Sequence, residues 1–107
     1  MTSVAYQRED EEGCYEMRIA GHAGYAGEGG PDIVCAAVSA LSCSLIGYVG
    51  RLHDAGCVDV FEYQQQPGDV WMRARGCKDA RAGAAFDMAA EGLAMLAEKY
   101  PGCVRVG

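Results

Sequence analysis

Apolar and polar residues alternate over residues 14–20, where Tyr15, Met17 and Ile19 interleave with Cys14, Glu16 and Arg18. A period of two predicts a half-buried strand, because successive side chains leave opposite faces of a sheet. Thr2 to Arg8 alternates more loosely around Val4 and Tyr6, and the acidic run Glu9-Asp10-Glu11-Glu12 closing on Gly13 predicts a turn. The first 20 residues therefore read as a hairpin. From Asp32 to about His53 the period lengthens. Val34, Ala37, Val38, Leu41, Leu45, Tyr48, Val49 and Leu52 recur at helical spacing and predict one broad apolar stripe. Pro31 and Asp32 suit the start of that helix, and Gly56 ends the segment. A second row of small residues, Ala36, Ala40, Cys43 and Gly47, predicts a face that another helix can approach closely. Val58 to Gln64 and Val70 to Arg75 predict two more strands about the turn Gln66-Pro67-Gly68-Asp69. Asp79 to Tyr100 predicts a second helix with Ala82, Phe86, Ala89, Leu93, Leu96 and Tyr100 inward. Pro101-Gly102 stops it before a short last strand at Cys103 to Val106. The order β-β-α-β-β-α-β predicts an α+β two-layer sandwich, with a mixed or antiparallel sheet and two long helices on one face.

No linker or low-complexity tract interrupts the 107 residues, so one domain over residues 1–107 is expected. So short a chain has a thin core, and self-association would add burial. No apolar run approaches the ~18 residues of a membrane span, and the first residues lack a basic-then-apolar signal. A cytoplasmic protein with no membrane partner is expected. The net charge of −6, from 15 acidic and 9 basic residues, argues against a nucleic-acid partner. It suits a basic one, such as a lysine-rich protein tail. None of the six cysteines forms a C-x-x-C pair, so the zinc and thioredoxin spacings are missing; no metal, cofactor or disulfide framework is expected.

Residues 21–31 change the picture. Gly21, Gly24, Gly27, Gly29, Gly30 and Pro31 leave no regular element there, and the loop they form carries His22. Cys35 follows Asp32 by three residues, in the first helical turn, where exposed amides carry about half a positive charge. A nucleophilic cysteine reacts as its thiolate, which a helix N-terminus and a nearby imidazole both favour. Amides left free there can also stabilise an oxyanion. His22 lies thirteen residues before Cys35 and can fold back onto the helix start. Cys43 is mid-helix, and Cys14, Cys57, Cys77 and Cys103 lie in or beside strands without a neighbouring base. His53 suits the C-terminal end of the helix dipole instead. On the residues alone, a packed Cys35 in a non-catalytic peptide-binding dimer remains open, as does a thiol redox sensor.

The strings Gly21-His22-Ala23-Gly24-Tyr25-Ala26 and Asp32-Ile33-Val34-Cys35-Ala36-Ala37-Val38-Ser39-Ala40-Leu41 closely resemble the ribosomal-processing cysteine protease family (Prp) over about twenty positions. The resemblance implies a catalytic dyad of His22 and Cys35, with Gly21, Asp32 and Ser39 on further motif positions. It implies an α/β homodimer whose substrate is the N-terminal peptide of large-subunit ribosomal protein twenty-seven, in many versions cut after a pair of phenylalanines. Glu28-Gly29-Gly30-Pro31 makes the loop one residue longer than the family spacing. Asp32 then either caps the helix or orients His22. Ser39 lies one turn beyond Cys35 on the same face, within reach of substrate. The loop is expected to order over a peptide as a lid, with Tyr25 as its apolar contact. Under the resemblance, the non-catalytic alternative becomes a peptide-binding or ribosome-assembly module.

Overall fold

The computed structural model of the protein describes residues 1–26 and 32–107. Its elements are β1 (Thr2–Glu9), a single 3-10 turn (Asp10–Glu12), β2 (Cys14–Ala20), α1 (Ile33–Asp54), β3 (Val58–Gln66), β4 (Asp69–Cys77), α2 (Ala80–Lys99) and β5 (Val104–Val106). Among the described residues they form one five-stranded sheet in the order β3-β4-β2-β1-β5. Pairing is antiparallel except for β1 with β5, so the sheet is mixed.

The alternation expected in β2 sends Tyr15, Met17 and Ile19 inward, and the matching residues of β4, Met72 and Ala74, are fully buried beside them. Against this face α1 sets Val34, Val38, Leu45, Val49 and Leu52, and α2 sets Ala82, Phe86, Ala89 and Leu93. Phe86 stacks on Tyr15 and Tyr6 with ring centroids 5.5 and 6.0 Å apart. Both helices therefore cover one face. The other face is a polar ladder: Arg73 bridges Glu62 of β3, Trp71 donates to Glu16 of β2 at 2.7 Å, and Arg18 faces Asp69.

Three expectations need correction. The hairpin turn is only Pro67-Gly68, and the strands run on through Gln66 and Asp69, because those two residues still pair. On α1, Tyr48 is exposed and Ile46 and Ser42 are buried in its stead, so the inward stripe is rotated from the one expected. The expectation that nothing approaches membrane-span length also fails. α1 is 22 residues long with a mean hydropathy of 2.0 over its most apolar window, since its serines and glycines interrupt the apolar run without lowering the mean much. Its inner side packs on the sheet, yet only 28% of that window is buried. Close contact between the helices runs through Gly92 of α2, where a Cβ would stand 2.9 Å from the Leu41 methyls. The small row of α1 is not what brings them together.

Candidate active site

Asp32 is the N-cap of α1. Its Oδ1 accepts the Cys35 amide at 2.8 Å and its Oδ2 accepts the Tyr25 amide at 3.0 Å, so one carboxylate ties the preceding loop to the helix start. The Cys35 amide does most to hold this carboxyl below its ordinary range; desolvation opposes it, and the Tyr25, Val34 and Gly24 amides add to the lowering. The Ala36 amide is taken as well, by the Asp32 carbonyl at 3.0 Å. The first-turn amides of Cys35 and Ala36 are thus already bonded, contrary to the expectation that they stand free for an oxyanion.

His22 is placed by the sheet. The Gly21 amide donates to the Gly68 carbonyl at 2.8 Å, continuing the β2–β4 ladder one step past the pair Ala20 and Asp69. The Met1 carbonyl lies where a Cβ on Gly21 would go, so only glycine lets the first strand pass. The imidazole then rests on Gly68, where an added Cβ would stand 2.7 Å from Nε2. The Met1 amino group donates to the His22 carbonyl at 2.6 Å.

The half-buried Cys35 and the exposed His22 line one cavity of about 390 Å³. Ile19, Val38 and Val70 give it an apolar floor; Ser39 and Cys43 of α1 form one wall and Gln65, Gln66, Pro67 and Gly68 the other. Of the site residues expected from the sequence, Gly21, His22, Cys35 and Ser39 meet here. Asp32 and Tyr25 are not in the lining. Asp32 spends its oxygens on backbone amides, and Tyr25 packs edge-on against Tyr100 with ring centroids 5.4 Å apart. The expected lid includes residues 27–31, which lie outside the described residues. Among the described residues no hydrogen bond joins His22 to Cys35 or to Asp32.

Sequence reasoning missed Thr2, Ser42, Cys43, Gln65 and Gly68. For Cys43 a signal existed, since i+8 returns to the face of Cys35 after about two turns. The remaining cysteines lack an imidazole partner among the described residues. Burial, helped by Cys14, Asp79 and Asp59, pushes the Cys77 thiol up, and Cys57 accepts from Arg81 at 3.0 Å. Cys43 is the one cysteine sharing the Cys35 cavity. Eight residues of helix separate the two by about 12 Å. That exceeds the ~7 Å limit for a disulfide, so Cys43 does not pair with Cys35 within one chain.

A half-buried thiol at a helix start, with an imidazole across a peptide-sized cleft, is the equipment of a thiol-dependent hydrolase. The chain belongs to the cysteine protease Prp family, whose model matches residues 1–105. It is a cysteine protease. Among solved structures it is similar to the essential ribosomal processing protease Prp from S. aureus in complex with a covalently linked product peptide, at 25% identity and a TM-score of 0.77, covering 100% of this chain and 98% of that one. SMU.848 from Streptococcus mutans is 30% identical with a TM-score of 0.69, covering 99% and 91%. The S. aureus protease with a substrate peptide, at 24% identity, TM-score 0.73 and coverage of 100% and 98%, shows the shared fold. None of the curated proteins matches the chain.

Proposed function

We propose that this protease processes a ribosomal protein, removing the short N-terminal extension of large-subunit ribosomal protein twenty-seven, with Cys35 as nucleophile and His22 as general base. The observation that carries the reading is the single cavity holding both side chains. The S. aureus relative, a ribosomal processing protease with a covalently linked product peptide, supports the substrate class. In the first step His22 takes the Cys35 proton as Sγ attacks the scissile carbonyl carbon. The tetrahedral intermediate collapses, the C–N bond breaks, and the leaving amine takes the proton from the imidazolium. Water, deprotonated by His22, then attacks the thioester and releases acid and thiol. With the Cys35 and Ala36 amides occupied, the Ser39 hydroxyl on the cavity wall is the nearby donor along α1 for the substrate.

Cys35→Ala should lower cleavage of a peptide spanning the extension by a factor on the order of a thousand or more, with the fold intact by circular dichroism. His22→Ala should fall similarly. Undiminished cleavage by Cys35→Ala would sink the assignment.

The protein acts as a cytoplasmic homodimer in this reading. Support comes from α1, apolar yet little covered, and from an apolar groove of about 820 Å³ between α1 and α2 edged by Leu41, Gly47, Tyr48, Ala85 and Met88. Met88 is 74% exposed there.

A further inference from the structure

We propose that Gln65 is a substrate-positioning residue, binding the substrate main chain three to four residues from the scissile bond; this rests on Cys35 being the nucleophile. Cys35, Ser39 and Cys43 are spaced four residues apart on α1, so they mark points about 6 and 12 Å along one face from the reacting sulfur. All three line the cavity, which therefore runs along the helix rather than ending at the thiol. Its opposite wall is the end of the β3–β4 hairpin. At the far end the Gln65 Nε2 donates to Cys43 Sγ at 3.0 Å, and both side chains are exposed.

That bond is a poor use of a primary amide. A thiol sulfur is a weak acceptor, whereas the amide offers two N–H donors and a carbonyl with two lone pairs. Among the described residues it is the one hydrogen bond the Gln65 side chain makes. A side-chain amide carries the same donor and acceptor pair as a peptide unit, so it can bond the C=O and N–H of an extended chain together. An extended peptide advances about 3.3 Å per residue. The 12 Å from Cys35 to Cys43 then corresponds to three or four residues. On binding, the Gln65 amide exchanges the sulfur for the substrate main chain, and Cys43, a small side chain, leaves the room for it.

The test is a cycle between enzyme and substrate. Wild type and Gln65→Ala are compared on a peptide spanning the cleavage site and on versions truncated to two residues on one side or the other. On the full peptide, Gln65→Ala should raise KM about three- to tenfold with little change in kcat, the loss of a neutral hydrogen bond or two. On one of the truncated peptides the two enzymes should be equal, and which one tells the direction the substrate runs. Gln65→Glu, which keeps the acceptor and loses the donors, should fall between. An unchanged KM for Gln65→Ala on the full peptide overturns the proposal, as does the same loss on both truncated peptides. Cys35→Ala is assayed alongside. If it still cleaves, the nucleophile assignment fails; if it is dead while Gln65→Ala is normal, the subsite alone fails. Equal thermal midpoints for wild type and Gln65→Ala are expected of an exposed side chain.

Discussion

Each carboxylate oxygen of Asp32 accepts a backbone amide, and this decides what the residue does for Cys35. A carboxylate bonded to the helix start partly cancels the positive potential that the amides would otherwise turn on the thiol. It holds the geometry at an electrostatic cost. The carboxyl is depressed below its unfolded value, so the cap contributes stability above roughly pH 4 and loses it as the pH falls through the folded value. Asp32→Asn keeps an acceptor oxygen but removes the charge. Its acid unfolding should be less steep than that of wild type, measured by circular dichroism against pH. Its Cys35 should alkylate with iodoacetamide at least as fast at neutral pH, read by mass mapping because Cys43 is exposed too. A tenfold slower reaction would show that the charge serves His22 after all.

At the scale of elements, the chain wrote some of its site in local code and some in pairing. Cys35 and its cap were legible because an N-cap, a helix start and a glycine-rich loop are specified within a dozen residues. Gln65 and Gly68 were not. Gly68 meets His22 only through the antiparallel register of β2 with β4, which joins Ala20 to Asp69 across most of fifty residues. Gln65 meets Cys43 only where the β3–β4 hairpin comes beside α1; no local pattern encodes either contact. Tyr25 misled for the same reason, since its partner Tyr100 comes from the end of α2. The hairpin tip can be tested directly. Gly68 has φ +72°, a left-handed conformation that costs an alanine about 1 kcal/mol or more, and its Cα carries the His22 ring. Gly56 has φ +82° with open space around it. Gly68→Ala and Gly56→Ala should therefore lose similar stability in urea unfolding. Only Gly68→Ala should also slow peptide cleavage, by displacing the imidazole. Equal activity in the two variants would mean that the ring's seat on Gly68 is incidental.

For the whole molecule, the element order and the two-layer arrangement were readable because hydrophobic period distinguishes strand from helix over every long segment. The rotation of α1 was not, since Ile46 and Tyr48 both suit an apolar face and only packing against the sheet selects one. What α1 leaves uncovered bears on assembly. A stable interface takes about 800 Å² from each partner, roughly an eighth of the 6160 Å² this chain exposes. The groove between α1 and α2, with Tyr48 and Met88 on its rim, is the apolar concavity on the helical side about which such an interface would form. The Cys35 cavity opens elsewhere, between α1 and the hairpin tip, so a second copy seated on the groove leaves the peptide's path clear. Sedimentation velocity at micromolar concentration should give about twice the 11.3 kDa chain mass. Met88→Glu places a charge in the proposed contact on a side chain 74% exposed in the single chain, so it should yield a folded 11.3 kDa monomer. Gly47→Leu, filling the groove, should weaken the dimer as well. A wild-type chain that sediments as a monomer removes the dimer, and a dimer that survives both substitutions moves its interface off the helical face.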